Sequence, residues 1–320
     1  MSFSIKKKFF YLVPDKFDNP LNLKTEFFII QEMRKKNIEI ITSNNFRVKS
    51  FEIEKNIDGI IFSSLKVIWK EQKMIKYANK NSINIYWWYF DTAATSIRRK
   101  YKVNKIARQV SIFFNKDLLR FYNYEKSGIN PIWLDQGVPN ICVKNKKPNY
   151  KYDVSFFGSF EKSHSDRINI LKNIDKKFNL VVFTKDIDKF ISHGFKNVKP
   201  FIPAHKISNN LAKINLVLNG NFNSDYCWSN RVHLMIGSSG FTLVEKIKGL
   251  KDFYKNNEHC IYFDSEKLEK IINLWNQKKQ NNLREKIRIS GFNHAQRYHS
   301  YEKRVEFFIN TINNFTYNES

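Results

Sequence analysis

Trp228-Ser229-Asn230-Arg231-Val232-His233-Leu234-Met235-Ile236 runs into Gly237-Ser238-Ser239-Gly240 and then Phe241-Thr242-Leu243-Val244. The first segment predicts a short helix, the Gly/Ser tetrad a chain reversal, and the last an apolar strand. A basic residue, small residues and backbone N–H groups gathered at one reversal suit phosphate groups.

Working outward, the same alternation of apolar run and helical pattern fills the chain. Strands are predicted at Phe9–Val13, Ile38–Thr42, Ile57–Phe62, Ile83–Phe90 and Val110–Asn115, then at Asp153–Phe157, Asn179–Phe183, Ile214–Asn219, Phe241–Val244 and Cys260–Phe263. A helix is predicted to start near Pro20, with Asn19 as its N-cap and Leu23, Phe27 and Ile30 on its buried face. Further helices are predicted around Arg167–Ile174, His205–Lys213, Asn230–Ile236 and Ser265–Asn276, and a last amphipathic one carries Tyr298, Tyr301, Val305, Phe308 and Ile312. Strands that are apolar nearly throughout suit a parallel sheet covered on both faces. The polar stretch Asn145–Lys151, which contains Pro148, reads as a linker. The pattern therefore predicts an α/β protein of two Rossmann-like, doubly wound lobes with a cleft between them: residues 1–147, residues 152–296, and a C-terminal helix over 297–320 that packs back toward the first lobe.

Composition bounds the rest. A chain of 320 residues with 42% apolar and 16% aromatic content can bury two cores, which excludes a disordered chain. The net charge of +25 attracts phosphate-bearing partners, although dispersed lysines on solvated helix faces account for much of it. Cys142, Cys227 and Cys260 show no metal-ligand spacing, and the seven histidines form no HExxH pair. Neither a metal nor another cofactor is expected. The longest apolar runs are far short of the roughly 20 residues a bilayer span needs, and no signal peptide heads the chain. A cytoplasmic protein, held at most against the inner face of the cell membrane, is expected.

A resemblance sharpens this reading. Ser229-Asn230-Arg231-Val232-His233, Gly237-Ser238-Ser239-Gly240-Phe241, Gly249-Leu250 and Phe253, followed by Leu268, Arg284, Gly291, His299, Tyr301 and Arg304, resemble the C-terminal lobe of GT-B glycosyltransferases of the spore-maturation-protein-like group. Asp153-Val154-Ser155-Phe156-Phe157-Gly158-Ser159 with Arg167 is similar to the strand, turn and helix that open that lobe. In the N-terminal half, only Tyr86-Trp87-Trp88-Tyr89-Phe90-Asp91 and Gln136-Gly137-Val138 are similar to that group. One departure stands out: where members carry a glutamate for the nucleotide ribose, this chain has Leu234, which accepts no hydrogen bond.

The resemblance implies a metal-independent glycosyltransferase that uses a nucleoside-diphosphate sugar and a glycan, lipid-linked or protein acceptor, in surface polysaccharide or lipopolysaccharide synthesis. Arg231 is expected to hold the diphosphate, because its planar fork binds two oxygens at once. Ser229 and Asn230 flank it, and His233 is a candidate ribose contact in place of the missing glutamate. Gly158 and Ser159 are expected to present backbone N–H groups to the nucleotide, with Arg167 nearby, and Ser238, Ser239 and Gly240 to touch phosphate or sugar. Asp91 is the first choice for a catalytic base, and Asp15 and Asp18 are its rivals. A configuration-retaining enzyme would need no such base.

Two other readings compete. A basic nucleic-acid-binding protein would explain the charge, but the aromatics fall inside strand patterns that bury them. A catalytically degenerate scaffold would explain Leu234.

Overall fold

The computed structural model describes residues 7–19, 24–43, 56–91, 97–118, 121–140, 150–160, 165–202, 212–218 and 226–318. They form two compact units: Met1–Gln136 with Tyr301–Ser320, and Gly137–Ser300.

The first unit is a six-stranded parallel sheet of β1 (Lys8–Leu12), β2 (Glu39–Thr42), β3 (Gly59–Phe62), β4 (Ile85–Tyr89), β5 (Ile112–Asn115) and β6 (Pro131–Trp133), in the order β2-β1-β3-β4-β5-β6. The strands read as unbroken apolar runs because both faces are covered. Alternate side chains divide between two clusters: Phe9, Tyr11, Tyr86, Trp88 and Phe114 face one side, and Phe10, Leu12, Trp87, Tyr89 and Phe113 the other. Helices α1 (Thr25–Lys35), α2 (Leu65–Lys70), α3 (Gln72–Lys80), α4 (Ile97–Ala107) and α5 (Phe121–Glu125) connect the strands. The last helix of the chain, α11 (Tyr301–Asn318), belongs to this unit. Its Phe308 stacks on Trp88 with ring centres 5.6 Å apart.

The second unit repeats the plan with β7 (Tyr152–Phe157), β8 (Leu180–Thr184), β9 (Val198–Pro200), β10 (Ala212–Val217), β11 (Thr242–Glu245) and β12 (Ile261–Phe263), in the order β12-β11-β10-β7-β8-β9 and again all parallel. Helices α6 (Ser165–Lys177), α7 (Ile187–Ser192), α8 (Arg231–Gly237), α9 (Leu268–Asn276) and α10 (Asn281–Tyr298) accompany it.

Several boundaries differ from the sequence reading. Helix α1 begins at Thr25 with Lys24 at its N-cap. Asn19 instead donates its N–H to Lys16 in an earlier turn, and Pro20 lies outside the described residues. Most of the helix expected over His205–Lys213 also lies outside them, and its last two residues open β10 as Ala212–Lys213. Strands β6 and β9 contain Pro131 and Pro200, and they sit at the sheet edges, where a missing N–H costs least. Helix α10 escapes a hydrophobic-period reading because its buried face includes Arg284, Arg288 and Gly291 as well as Ile287 and Ala295. Tyr298 closes α10 and is exposed, so it is not part of the apolar face of α11.

The units divide before the expected linker, most of which lies outside the described residues. Val138 is already part of the second unit: its N–H donates to His299 O at 2.8 Å. Its side chain packs so closely on Gly237 that a Cβ there would stand 2.4 Å from Val138 Cγ1.

Candidate functional site

The order of the second sheet places β7 beside β10, strands far apart in the chain, and the connections diverge on either side of that pair. Open α/β sheets bind ligands beyond the carboxyl ends of such a switch point. Gly158 and Ser159 follow β7, Leu218 follows β10, and Arg231 opens the helix after β10. Two guanidinium groups share the Phe156 ring there: the Arg167 Cζ lies 5.6 Å and the Arg231 Cζ 5.8 Å from its centre. Arg231 Nη2 donates to Leu218 O at 3.4 Å, and Arg167 Nη2 to Ser159 O at 3.2 Å. Arg167 is buried and Arg231 half-buried, so their charge is concentrated in a poorly solvated corner. Ser229 Oγ accepts the Arg231 N–H at 3.3 Å, which fixes the start of α8. Asn230 is the N-cap residue, without a side-chain capping bond.

The remaining candidates fall elsewhere. Ser238, Ser239 and Gly240 lie at the far end of α8, where the chain enters the amino end of β11. Gly240 N–H donates to Met235 O and Ser239 N–H to Ile236 O, with Ser239 at φ 68°, which is a helix-terminating turn. Ser238 Oγ bonds Leu234 O, and Ser239 Oγ receives a bond from the buried Arg288. These groups are spent on the fold, on the edge of the sheet away from Arg231. His233 is fully buried. Its Nε2 accepts from Trp228 Nε1 at 3.2 Å, and its Nδ1 pairs with Tyr254 Oη at 2.8 Å. Both nitrogens are engaged in the core, so His233 is not placed to meet a ribose hydroxyl. The Gly158 N–H donates to Phe183 O at 3.1 Å, so that glycine's role is steric: a Cβ would strike the Phe156 ring at 2.7 Å.

In the first unit the switch point lies between β1 and β3. A cavity of about 1300 Å³ opens there, and Asp15, Lys24, Glu26, Ser63, Asp91 and Arg99 are part of its lining. Asp91 ends the aromatic strand as expected, with its side chain 69% exposed and its Oδ2 2.6 Å from Arg99 Nη2. Arg99 is held in turn by Tyr89 Oη at 2.9 Å. Asp18 is exposed and is not part of the lining. Glu26, which the sequence reading passed over, is 5% exposed and accepts a 2.7 Å hydrogen bond from Ser63 Oγ. Burial holds its carboxyl above the usual value of 4.5. Among the described residues no three His, Cys, Asp or Glu side chains gather as a metal-ligating group.

Residues 168–310 match a family model described as glycosyl transferase-like. The chain also resembles solved structures along its length. HepE of Anabaena, in complex with UDP and glucose, superimposes with a TM-score of 0.69 at 11% identity, over 96% of this chain and 100% of that one. Sucrose-phosphate synthase from Thermosynechococcus elongatus gives 0.67 at 7% identity, over 98% and 100%. A mutant of T4 phage BGT in complex with UDP-glucose gives 0.61 at 15% identity, over 94% and 98%. The chain has a GT-B fold, and its residues 168–310 are glycosyl transferase-like in sequence. No curated protein sequence matches it significantly. The glycosyl transferase-like span of this GT-B chain contains Arg231 and α8 but begins after Gly158 and Arg167. The β7 half of the corner, Gly158 and Arg167, lies outside that span.

Proposed function

We propose that the protein transfers a sugar from a nucleoside-diphosphate sugar to a hydroxyl of a glycan, lipid-linked or protein acceptor, without a metal ion. The observation that carries this reading is the convergence of Arg167 and Arg231 on Phe156 beyond the carboxyl ends of β7 and β10. As the bond from the anomeric carbon to the diphosphate breaks, the electron pair moves to a phosphate oxygen. A guanidinium already fixed at that point stabilises the new charge without reorganising, an effect worth roughly 10²–10³ in rate for one such donor. Arg231 is the group for this task, being half-buried and aimed by its bond to Leu218 O. Arg167 supports the Ser159 turn beside it. UDP and UDP-glucose, named for HepE and T4 phage BGT, make uridine the first base to test.

The cavity of the first unit supplies an acceptor site, with Asp91 and Arg99 as hydrogen-bonding groups at its lining. The net charge of +25 favours an acceptor presented on an anionic surface, such as the inner face of a membrane. Among the described residues no helix is long and apolar enough to cross one. The residue pattern around Arg231 favours membership of the spore-maturation-protein-like group, with Leu234 as the departure at the ribose position.

Thermal-shift measurements with UDP, GDP, dTDP and CMP, and with single-stranded DNA at two salt concentrations, test the reading. Selective stabilisation by one nucleotide is expected, and Arg231→Ala should abolish it. Stabilisation by DNA alone, lost in high salt, would replace this function with nucleic-acid binding. No response to any nucleotide would leave a scaffold that has lost its donor.

A further inference from the structure

Glu26 sits in the first turn of α1, facing the cavity at the β1/β3 switch point of the first unit. Its position is costly. A carboxylate taken from water loses hydration that one hydroxyl does not replace, and buried acids persist where their chemistry is used. Glu26 Oε1 accepts from Ser63 Oγ at 2.7 Å, and among the described residues no cation lies within ion-pair distance of it. Two other buried acids of this unit pair with lysines: Glu32 with Lys35 at 2.6 Å and Asp135 with Lys116 at 3.4 Å. Asp91, the acid the sequence favours, already meets Arg99 at 2.6 Å and stands largely in solvent.

We propose that Glu26 is the proton acceptor for the acceptor hydroxyl. The inference rests on the glycosyltransferase reading above and assigns its base. In one displacement the acceptor O–H bond breaks and its proton passes to Glu26 Oε2. The acceptor oxygen bonds to the anomeric carbon, and the bond to the diphosphate breaks with its electron pair going to the phosphate. Ser63, bonded to the other carboxylate oxygen, is a positioning residue: it holds Oε1 and leaves Oε2 for the substrate. The outcome is inversion at the anomeric carbon.

The charged and titratable groups around Glu26 come from three elements and its own cap. Tyr11 faces it from β1, Asp91 from the end of β4, and Lys24 from the N-cap of α1, with the Ser63 hydroxyl after β3. Burial is the largest influence and Asp91 acts in the same direction, both raising the carboxyl; Ser63, the Glu26 backbone N–H and Lys24 oppose them. A base raised toward the working pH takes up a proton more readily than an ordinary carboxylate.

The test uses the full chain in two ways. With a nucleotide sugar that stabilises it, and UDP-glucose as the first probe, slow hydrolysis by water is followed by NMR. Glu26→Gln is expected to lower kcat by roughly 10²–10⁴-fold, the usual contribution of general-base catalysis. KM for the donor should stay within about twofold, the rise of kcat with pH should disappear, and the sugar released by the wild type should be inverted. Asp91→Asn should retain a rise of kcat with pH, moved to lower pH because a charge that raises the Glu26 carboxyl is removed. Retention of configuration, or an unchanged profile in Glu26→Gln, overturns the proposal. The second measurement needs no substrate: carboxyl-labelled glutamate NMR, assigned by the signal lost in Glu26→Gln, should show one glutamate titrating above all the others. Titration of Glu26 at the ordinary value overturns the proposal even if no donor is turned over. Loss of nucleotide binding in the wild type would instead sink the donor reading, so the two failures are distinct.

Discussion

Arg231 lies so close to Gly158 that a Cβ built on the glycine would stand 3.1 Å from Arg231 Nη1. The same Cβ would strike the Phe156 ring at 2.7 Å, and that ring is the platform for both Arg167 and Arg231. Gly158→Ala should therefore displace the ring and the guanidinium together. We expect nucleotide affinity to fall about tenfold, or about 1.4 kcal/mol, measured by calorimetry with the nucleotide that stabilises the wild type. Unchanged affinity would separate this corner from the donor.

Arg167 and Arg231 should fail differently. Arg167 is buried and donates to Ser159 O, so Arg167→Ala should lower stability by about 2 kcal/mol as well as weaken the nucleotide. Arg231, half-buried with a 3.4 Å bond to the Leu218 carbonyl, should cost less stability than Arg167 when replaced by alanine, under about 1 kcal/mol. Urea unfolding of the ligand-free variants measures the contrast.

Gly291 brings α10 against the backbone before β12. A Cβ there would meet His259 O at 2.2 Å, and a carbonyl cannot rotate away as a side chain can. Gly291→Ala should destabilise the second unit by about 3 kcal/mol, seen as a lower urea midpoint at an unchanged slope. The mixed polarity of α10 hid this contact from a reading of apolar period.

The second unit should weaken in acid. His259 and His294 stack with ring centres 3.9 Å apart, and burial holds both below the ordinary value of 6.5. The neighbouring His294 lowers His259 further, Lys255 lowers both, and Glu258 opposes. Because the folded values are depressed, this stabilisation is complete above pH 6.5 and is lost as pH falls through the folded values. Melting followed by a probe in the second unit should drop between pH 7.5 and pH 5, and His294→Phe should flatten that drop. Glu26 has the opposite sign: its raised carboxyl stabilises the first unit below the ordinary value of 4.5 and loses that contribution as pH rises through the folded value. Glu26→Gln should remove that dependence.

Apolar period, turn residues and their order along the chain determined the class of this protein by themselves. Ten of the twelve strands, the two-unit plan and the place of Arg231 at the start of a helix are local facts, written within a few residues of one another. Edge strands with proline and a helix buried through arginines were not legible, because their burial comes from neighbours distant in sequence. The candidate site divides in the same way. Arg231 and Asp91 stood out as charges beside apolar runs, but strand order lies outside any window of sequence. Only the pairing of β7 with β10 brought Gly158, Arg167 and Arg231 to one ring, and only the direction of α8 carried Ser238, Ser239 and Gly240 to the other edge of the sheet. His233 in the core and Glu26 in the cavity were decided in the same step, since a side chain's solvation depends on what the whole fold packs around it.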